Sequence, residues 1–387
     1  MSRVRFEFAT AGRIVFGPGV LAELGELAAG MGRRALLVTG RTASRAEPAR
    51  ERLAAAGVGT VGFAVPGEPT VEDVRRGAEL ARSEGVDLVV ACGGGSAIDC
   101  GKAVAALLGN GGDPLDYLEV VGRGRAVTKP SAPFVAIPTT AGTGSEVTRN
   151  AVLASPEHRV KASLRSPLML ARAAIVDPDL LRGLPPHVVA ASGLDAFAQL
   201  VEPFLSVRAN PLVDGVCREG LALSARSLRR AFEGDSSERV RVDLALASLF
   251  GGLALANAGL GAVHGFAAPA GGLLDAPHGA ACAALLPAVL RVNLAALTRR
   301  LPASPALDHY REVAAIVTGR ADAGPADAVA WTESLVGALG VPGLSRWGAS
   351  EADVPALVAK ARAASSMKGN PIELEEDELV EIARASL

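Results

Sequence analysis

Asp87-Leu-Val-Val-Ala-Cys92-Gly-Gly-Gly-Ser-Ala-Ile-Asp-Cys-Gly-Lys102 is the stretch on which the fold turns. Its apolar run does not alternate with polar residues, which suits a strand buried on both faces. Three glycines follow at once, and a helical pattern continues through Val104, Leu107 and Leu108. Glycine lets backbone amides approach a ligand closely, and a helix N-terminus offers free N–H groups and positive dipole potential. The turn can therefore cradle phosphate, although it is neither the G-x-G-x-x-G fingerprint nor a Walker A loop. An ordinary strand-to-helix turn capped by Ser96 would use the same residues.

Upstream, residues 3–16 alternate around Val4, Phe6, Phe8, Ile14 and Val15 as a strand does, then break at Gly17-Pro18-Gly19. Buried-strand runs at Ala35–Thr39 and Val61–Val65 alternate with helical patterns, the last over Val71–Ser83. Downstream, Phe134–Ile137 and Ala174–Val176 read as further strands. This alternation predicts a mostly parallel sheet covered on both faces. Beyond Asp177-Pro178 the pattern becomes helical to the C-terminus, with few β-branched runs. At 387 residues the chain is long for one core. Two domains are expected, an α/β dinucleotide-binding domain over 1–179 and an all-α catalytic domain over 180–387, with the ligand in the cleft between them.

Composition narrows the function. With 39 basic against 41 acidic residues, and no basic block interleaved with aromatics, nothing points to nucleic acid. No uninterrupted apolar run approaches the roughly 18 residues of a membrane span, and the opening residues lack the apolar core of a signal peptide. Cys92, Cys100, Cys217 and Cys282 show no C-x-x-C spacing and lie in apolar surroundings, so they read as buried thiols of a cytoplasmic protein.

Two of the five histidines, His264 and His278, fall in the apolar, glycine-rich stretch Gly261–Gly279. A neutral imidazole binds divalent cations at neutral pH. The pair can converge if the chain folds back at Gly271-Gly272, though two satisfied core histidines would look the same. In Gly193-Leu-Asp-Ala-Phe-Ala-Gln-Leu-Val-Glu202, Asp195 and Gln199 share one helix face at i and i+4. A carboxylate among so many apolar neighbours needs a cation, a histidine, a cap or a salt bridge. The loop Ile137-Pro-Thr-Thr-Ala-Gly-Thr-Gly-Ser-Glu-Val-Thr148 concentrates hydroxyls and glycines after an apolar strand, as suits a polar ligand.

Taken together, Phe16-Gly17-Pro18-Gly19, Gly93–Ser96 with Asp99 and Lys102, Pro138–Glu146, Gly193-Leu-Asp195 and the His264/His278 pair resemble the iron-containing (group III) alcohol dehydrogenases along essentially the full chain. The resemblance implies that family's two-domain, dehydroquinate synthase-like architecture, NAD or NADP as cofactor, and a divalent metal, Fe2+ or Zn2+. It implies reversible hydride transfer on a small alcohol or aldehyde, with the metal polarising the carbonyl, and a homodimer. It places the pyrophosphate on Gly94, Gly95 and Ser96, with Asp99, Thr139, Thr140 and Ser145 bordering the cofactor and Lys161 reaching it. The metal and the catalysis fall to Asp195, His264 and His278.

Three positions depart from the family. Gln199 stands where a histidine ligand is expected, so a weaker, neutral oxygen is offered there and three ligands carry the site. Ala268 replaces a histidine that usually lies beside the nicotinamide. Gly40, followed by Arg41 and Arg45, replaces the aspartate that would accept from a ribose 2′-OH, so NADP is expected to be accepted. Two other readings stand beside this one: a lyase of the dehydroquinate-synthase type and a non-catalytic dinucleotide-binding protein. Asp275 is either a turn residue or an orienter of a metal-bound histidine, and Ala267, Ala268, Ala270 and Leu274 are expected to wall an apolar substrate pocket.

Overall fold

The computed structural model describes residues 5–158 and 160–387. Its chain divides into two compact units, one of Ala9–Thr140 with Gly144–Gly183, the other built on Leu184–Leu387 with Ala141–Thr143 and the segment ending at Phe8.

Among the described residues, eight strands form in the first unit: β1 (Ile14–Phe16), β2 (Arg34–Thr39), β3 (Gly59–Ala64), β4 (Leu88–Gly93), β5 (Phe134–Pro138), β6 (Asn150–Ser155), β7 (Val160–Arg165) and β8 (Ala173–Val176). Six of them make one sheet in the order β1-β8-β5-β4-β2-β3, with every neighbouring pair parallel. β4, β5 and β8 are buried along their whole length, so their side chains supply apolar surface to both covering layers. The chain leaves β2 outward to β3, then recrosses to β4 and moves on to β5. Connections from β2 and β4 therefore run in opposite directions, and the carboxyl ends of these adjacent strands bound a crevice of the kind that receives nucleotides.

Helix Val71–Ser83 starts at a capping box. The Thr70 hydroxyl accepts the Asp73 N–H at 3.0 Å, and the Asp73 carboxylate accepts the Thr70 N–H at 2.9 Å. β6 and β7 form a separate antiparallel hairpin that the sequence reading did not anticipate. The strand expected over residues 3–16 is shorter, since only Ile14–Phe16 pairs with β8; Val4 lies outside the described residues.

The second unit is helical. Its long members are Pro186–Leu205, Pro211–Phe232, Glu238–Ala258, Ala262–Leu274 and His278–Arg300, followed by shorter helices to the C-terminus. Their core is built on Phe197, Phe204, Phe266, Tyr310 and many Leu, Val and Ala residues. The Tyr310 hydroxyl donates to the Leu290 carbonyl at 3.0 Å, so this ring can be fully buried. Pro186–Leu205, Glu238–Ala258 and His278–Arg300 are long and apolar enough, by length and composition, to cross a membrane. Isolated polar residues had masked this in a search for uninterrupted apolar runs. Between 67% and 78% of each such window is buried within the protein, as befits helices that are apolar on most sides.

Candidate functional site

Helix Pro186–Leu205 carries Asp195, Gln199 and Glu202, all buried, at i, i+4 and i+7. Helical pitch puts the three on one face. Helix Ala262–Leu274 delivers His264 to that face. Its N-cap, Gly261, has no side chain to cap with, and distant residues do the work. The Asn370 amide oxygen accepts the Ala262 N–H at 3.1 Å, and Glu202 Oε1 accepts the Val263 N–H at 2.7 Å. A Cβ on residue 261 would lie 2.9 Å from both acceptors, so only glycine fits. Glu202 Oε2 lies 2.6 Å from His264 Nδ1. A carboxylate can only accept there, so the ring proton sits on Nδ1 and the Nε2 lone pair is left free.

That lone pair faces Asp195. His264 Nε2 stands 3.3 Å from Asp195 Oδ1, and His278 Nε2 stands 3.7 Å from the same oxygen. His278 is the first residue of helix His278–Arg300 and follows Pro277. The next residue, Gly279, packs so closely on helix Pro186–Leu205 that a Cβ would lie 2.6 Å from the Ala191 carbonyl. One turn further along, Cys282 Sγ reaches 3.7 Å from His278 Nε2. Asp195, His264, His278 and Cys282 each offer a donor atom, all within 4.8 Å of one another.

Asp195 Oδ1, Gln199 Oε1 and His264 Nε2 are buried without a hydrogen-bond partner. Acceptor atoms left unmatched in a protein interior are costly. A divalent cation satisfies those of Asp195 and His264, which stand 3.3 Å apart, so these residues fit a metal. Burial alone would raise the Asp195 pKa, but His278 and His264 outweigh it and hold it below the usual carboxylate range. The Cys282 sulfur, opposed by burial and helped by Asp195, pushes His278 up to about 9.

In the first unit, Gly40 follows β2 and Gly93 ends β4. A Cβ on Gly93 would meet Ala97 Cβ at 2.6 Å and the Gly40 nitrogen at 3.2 Å, so the two strand ends are in contact. Helix Gly95–Asn110 begins here with Gly94, not Ser96, as its N-cap and with no side chain capping it. Its first amides are thus open to an anion, at the crevice between β2 and β4. Thr139 N–H donates to the Gly93 carbonyl at 2.9 Å, and Thr140 Oγ1 packs against Gly94, 3.3 Å from where a Cβ would be. Gly40, Gly94, Gly95, Ser96, Thr139 and Thr140 therefore share one edge.

Asp99 and Ser145 sit behind that edge. The Ser145 hydroxyl donates to Asp99 in a short contact, and the Val152 N–H donates to the other Asp99 oxygen at 2.9 Å. Lys102, fully buried, donates to the Ser145 carbonyl at 2.8 Å, the Thr148 hydroxyl at 2.9 Å and the Asn150 carbonyl at 2.7 Å. This ammonium pins the hydroxyl-rich loop, a role the sequence reading had not given it. Burial lowers its pKa to about 8 against the pull of Asp99 and Glu146. Lys161 pairs with Glu68 in the segment after β3.

The profile of the "Iron-containing alcohol dehydrogenase" family matches residues 11–178, and that of the "Fe-containing alcohol dehydrogenase family, C-terminal" matches 189–387. The chain belongs to the iron-containing alcohol dehydrogenase family. The 1,3-propanediol dehydrogenase of Citrobacter freundii is 35% identical over 393 residues, covering 99% of each chain. A crystal structure of a 1,3-propanediol oxidoreductase superposes with a TM-score of 0.91 at 34% identity, over 99% of this chain and 100% of that one. The sulfoacetaldehyde reductase of Bifidobacterium kashiwanohense, solved with NAD+, gives 0.86 at 28% identity over 99% and 98%. This dehydrogenase is therefore a metal-dependent, nicotinamide-linked alcohol oxidoreductase, as the resemblance implied.

Several expectations about the dehydrogenase are corrected. Gly271 and Gly272 lie inside helix Ala262–Leu274, and the chain reverses at Asp275, whose φ is 53°. Asp275 is thus a turn residue, of a type that tolerates this left-handed conformation. Glycines along this stretch serve close packing instead: a Cβ on Gly265 would lie 2.5 Å from Met367 Sδ. Ala267 and Ala270 are sealed in the helical core and wall no pocket. Arg45 is spent on the Leu180 and Arg182 carbonyls, whereas Arg41 is exposed and bonds the Pro66 carbonyl at 2.9 Å. Cys282 and Glu202 were missed. The signal for Glu202 was present in the spacing Asp195, Gln199, Glu202; for Cys282 it was the i+4 offset from His278.

Proposed function

We propose that the enzyme reversibly oxidises a small alcohol to its aldehyde or ketone, with the cation held by Asp195, His264 and His278 and with Gln199 beside them. The observation that carries this is the convergence of buried, unpartnered acceptor atoms on one point. A bound divalent ion, Fe2+ or Zn2+, supplies Lewis-acid polarisation of the substrate oxygen, and the nicotinamide carries the hydride. Glu202 fixes the His264 tautomer, so that Nε2 ligates without waiting for a proton to leave. The Gly94–Ser96 amides hold the pyrophosphate, Thr139 and Thr140 border it, and the Lys102 network sets the shape of that border through Asp99 and Ser145.

NADP is accepted in this reading. Gly40 presents no carboxylate, a Cβ there would meet nothing within 4 Å, and exposed Arg41 stands next to it for a 2′-phosphate. Four buried free cysteines go with a reducing, cytoplasmic setting, and the family resemblance supports a homodimer. The test is a panel of small alcohols and aldehydes with both cofactors, before and after chelation and metal return. Activity that survives chelation, or that is unchanged in His278→Ala, would overturn the metal-assisted reading; negligible turnover with NADP(H) would overturn the cofactor reading.

A further inference from the structure

We propose that Cys282 is itself a ligand, supplying a thiolate to a four-membered set of Asp195, His264, His278 and Cys282 that selects zinc over iron and takes the substrate oxygen as a fifth ligand. The proposal rests on the cluster being a metal site and adds which donors it uses. Its first support is geometric. In a tetrahedral zinc site with bonds of about 2.0–2.3 Å, neighbouring donor atoms are roughly 3.3–3.6 Å apart. Asp195 Oδ1 to His264 Nε2 is 3.3 Å, Asp195 Oδ1 to His278 Nε2 is 3.7 Å, and Cys282 Sγ to His278 Nε2 is 3.7 Å. The sulfur joins the three expected ligands at a comparable spacing, and all four donor atoms lie within 4.8 Å of one another.

The second support is the pair of departures in one place. Gln199 offers a neutral carbonyl in place of a ligating imidazole, so a strong donor is missing from helix Pro186–Leu205. Cys282, one turn after His278 on the same face of helix His278–Arg300, provides one from the opposite direction. Cys92, Cys100 and Cys217 are also buried, but burial pushes Cys92 up to about 12 and raises the other two further, and none of them joins a group of ligating residues among those described. Cys282 alone has its sulfur beside two imidazoles and a carboxylate.

Charge is the third. Binding a dication releases the thiol proton to solvent and leaves one carboxylate and one thiolate on the ion, so the directly bound charges match the dication. Thiolate is a soft donor and suits zinc and cobalt better than ferrous iron, which makes the donor set a selectivity device.

Cobalt(II) reports the donor directly. The full-length protein is stripped with chelator and titrated with Co2+, with metal content and the near-ultraviolet and visible spectra read together. One cobalt per chain with tetrahedral visible bands and a sulfur-to-cobalt charge-transfer band is expected. In Cys282→Ser the charge-transfer band should vanish while cobalt still binds, and zinc affinity should fall at least about tenfold. One cobalt per chain without that band, or a band that persists in Cys282→Ser, overturns the thiolate ligand and leaves the metal site standing. No bound cobalt in the wild-type protein overturns both. The wild-type spectrum needs no substitution, so the test survives a variant that fails to fold.

Discussion

Replacing Glu202 by glutamine should damage the metal site without touching a ligand. Glu202 is buried, and its two oxygens have separate tasks: Oε1 accepts the Val263 N–H at 2.7 Å, and Oε2 accepts from His264 Nδ1 at 2.6 Å. Glutamine has one oxygen and one NH2 group. If the oxygen keeps Val263, the NH2 points at Nδ1, and the ring avoids a donor–donor clash by carrying its proton on Nε2, where the cation must bind. If the oxygen turns to Nδ1, the Val263 N–H faces a donor in a buried setting and the helix start loosens. The first arrangement keeps both hydrogen bonds but puts the ring proton on the ligating nitrogen; the second loses one buried hydrogen bond, a cost of about 1–3 kcal/mol. Loss of such an orienting partner lowers metal affinity by about 10–100-fold, or about 1.4–2.8 kcal/mol. Competition titration of zinc against a chromophoric chelator measures this, and urea unfolding of the metal-free protein separates the two arrangements. A zinc affinity equal to wild type without lost stability would refute the claim that Glu202 sets the tautomer.

Three further outcomes are expected. Gly40→Asp places a carboxylate where a Cβ meets nothing within 4 Å, and kcat/KM should shift from NADP towards NAD; an unchanged ratio would remove Gly40 from the cofactor reading. Gly93→Ala forces a methyl to 2.6 Å from Ala97 Cβ and 3.2 Å from the Gly40 nitrogen, so it should cost about 1–3 kcal/mol and weaken nucleotide binding, read by cofactor fluorescence titration. Burial pushes Glu146 up to about 7 from 4.5, with Lys102 pulling the other way. The folded protein therefore keeps a proton that the unfolded chain has released, and this stabilisation, full below about 4.5, is lost as pH rises through 7, by about 3 kcal/mol. Glu146→Gln should flatten that part of the stability–pH curve in urea titrations; an unaltered slope would refute it.

The sheet was legible because its strands are apolar without interruption and its glycine turn directly follows one of them. The late histidines and Asp195 were legible because ionisable groups stand out in apolar helices. What the sequence concealed was concealed for physical reasons. A helix carrying Pro269 and several glycines reads as a turn until the chain segments pressing on it, such as Met367 on Gly265, are known. Cys282 reads as an inert core thiol until helix Pro186–Leu205 places a carboxylate beside it. The β6–β7 hairpin follows a polar loop and has a short, mixed pattern, so local periodicity did not reveal it. Lys102 is one of only five lysines in the chain, and nothing nearby in sequence announces the carbonyls it clamps.

Asp195, Gln199 and Glu202 are spaced along a single helix like marks on a ruler. Their separations are set by main-chain pitch, which surface loops cannot stretch or compress. Insertions and deletions in the connecting segments would leave this half of the ion's cage unaltered, while one exchange at position 199 or 282 would retune its appetite for one metal over another. Because the nucleotide cradle is drawn from a different stretch of chain, choice of ion and choice of coenzyme are free to drift apart over evolutionary time.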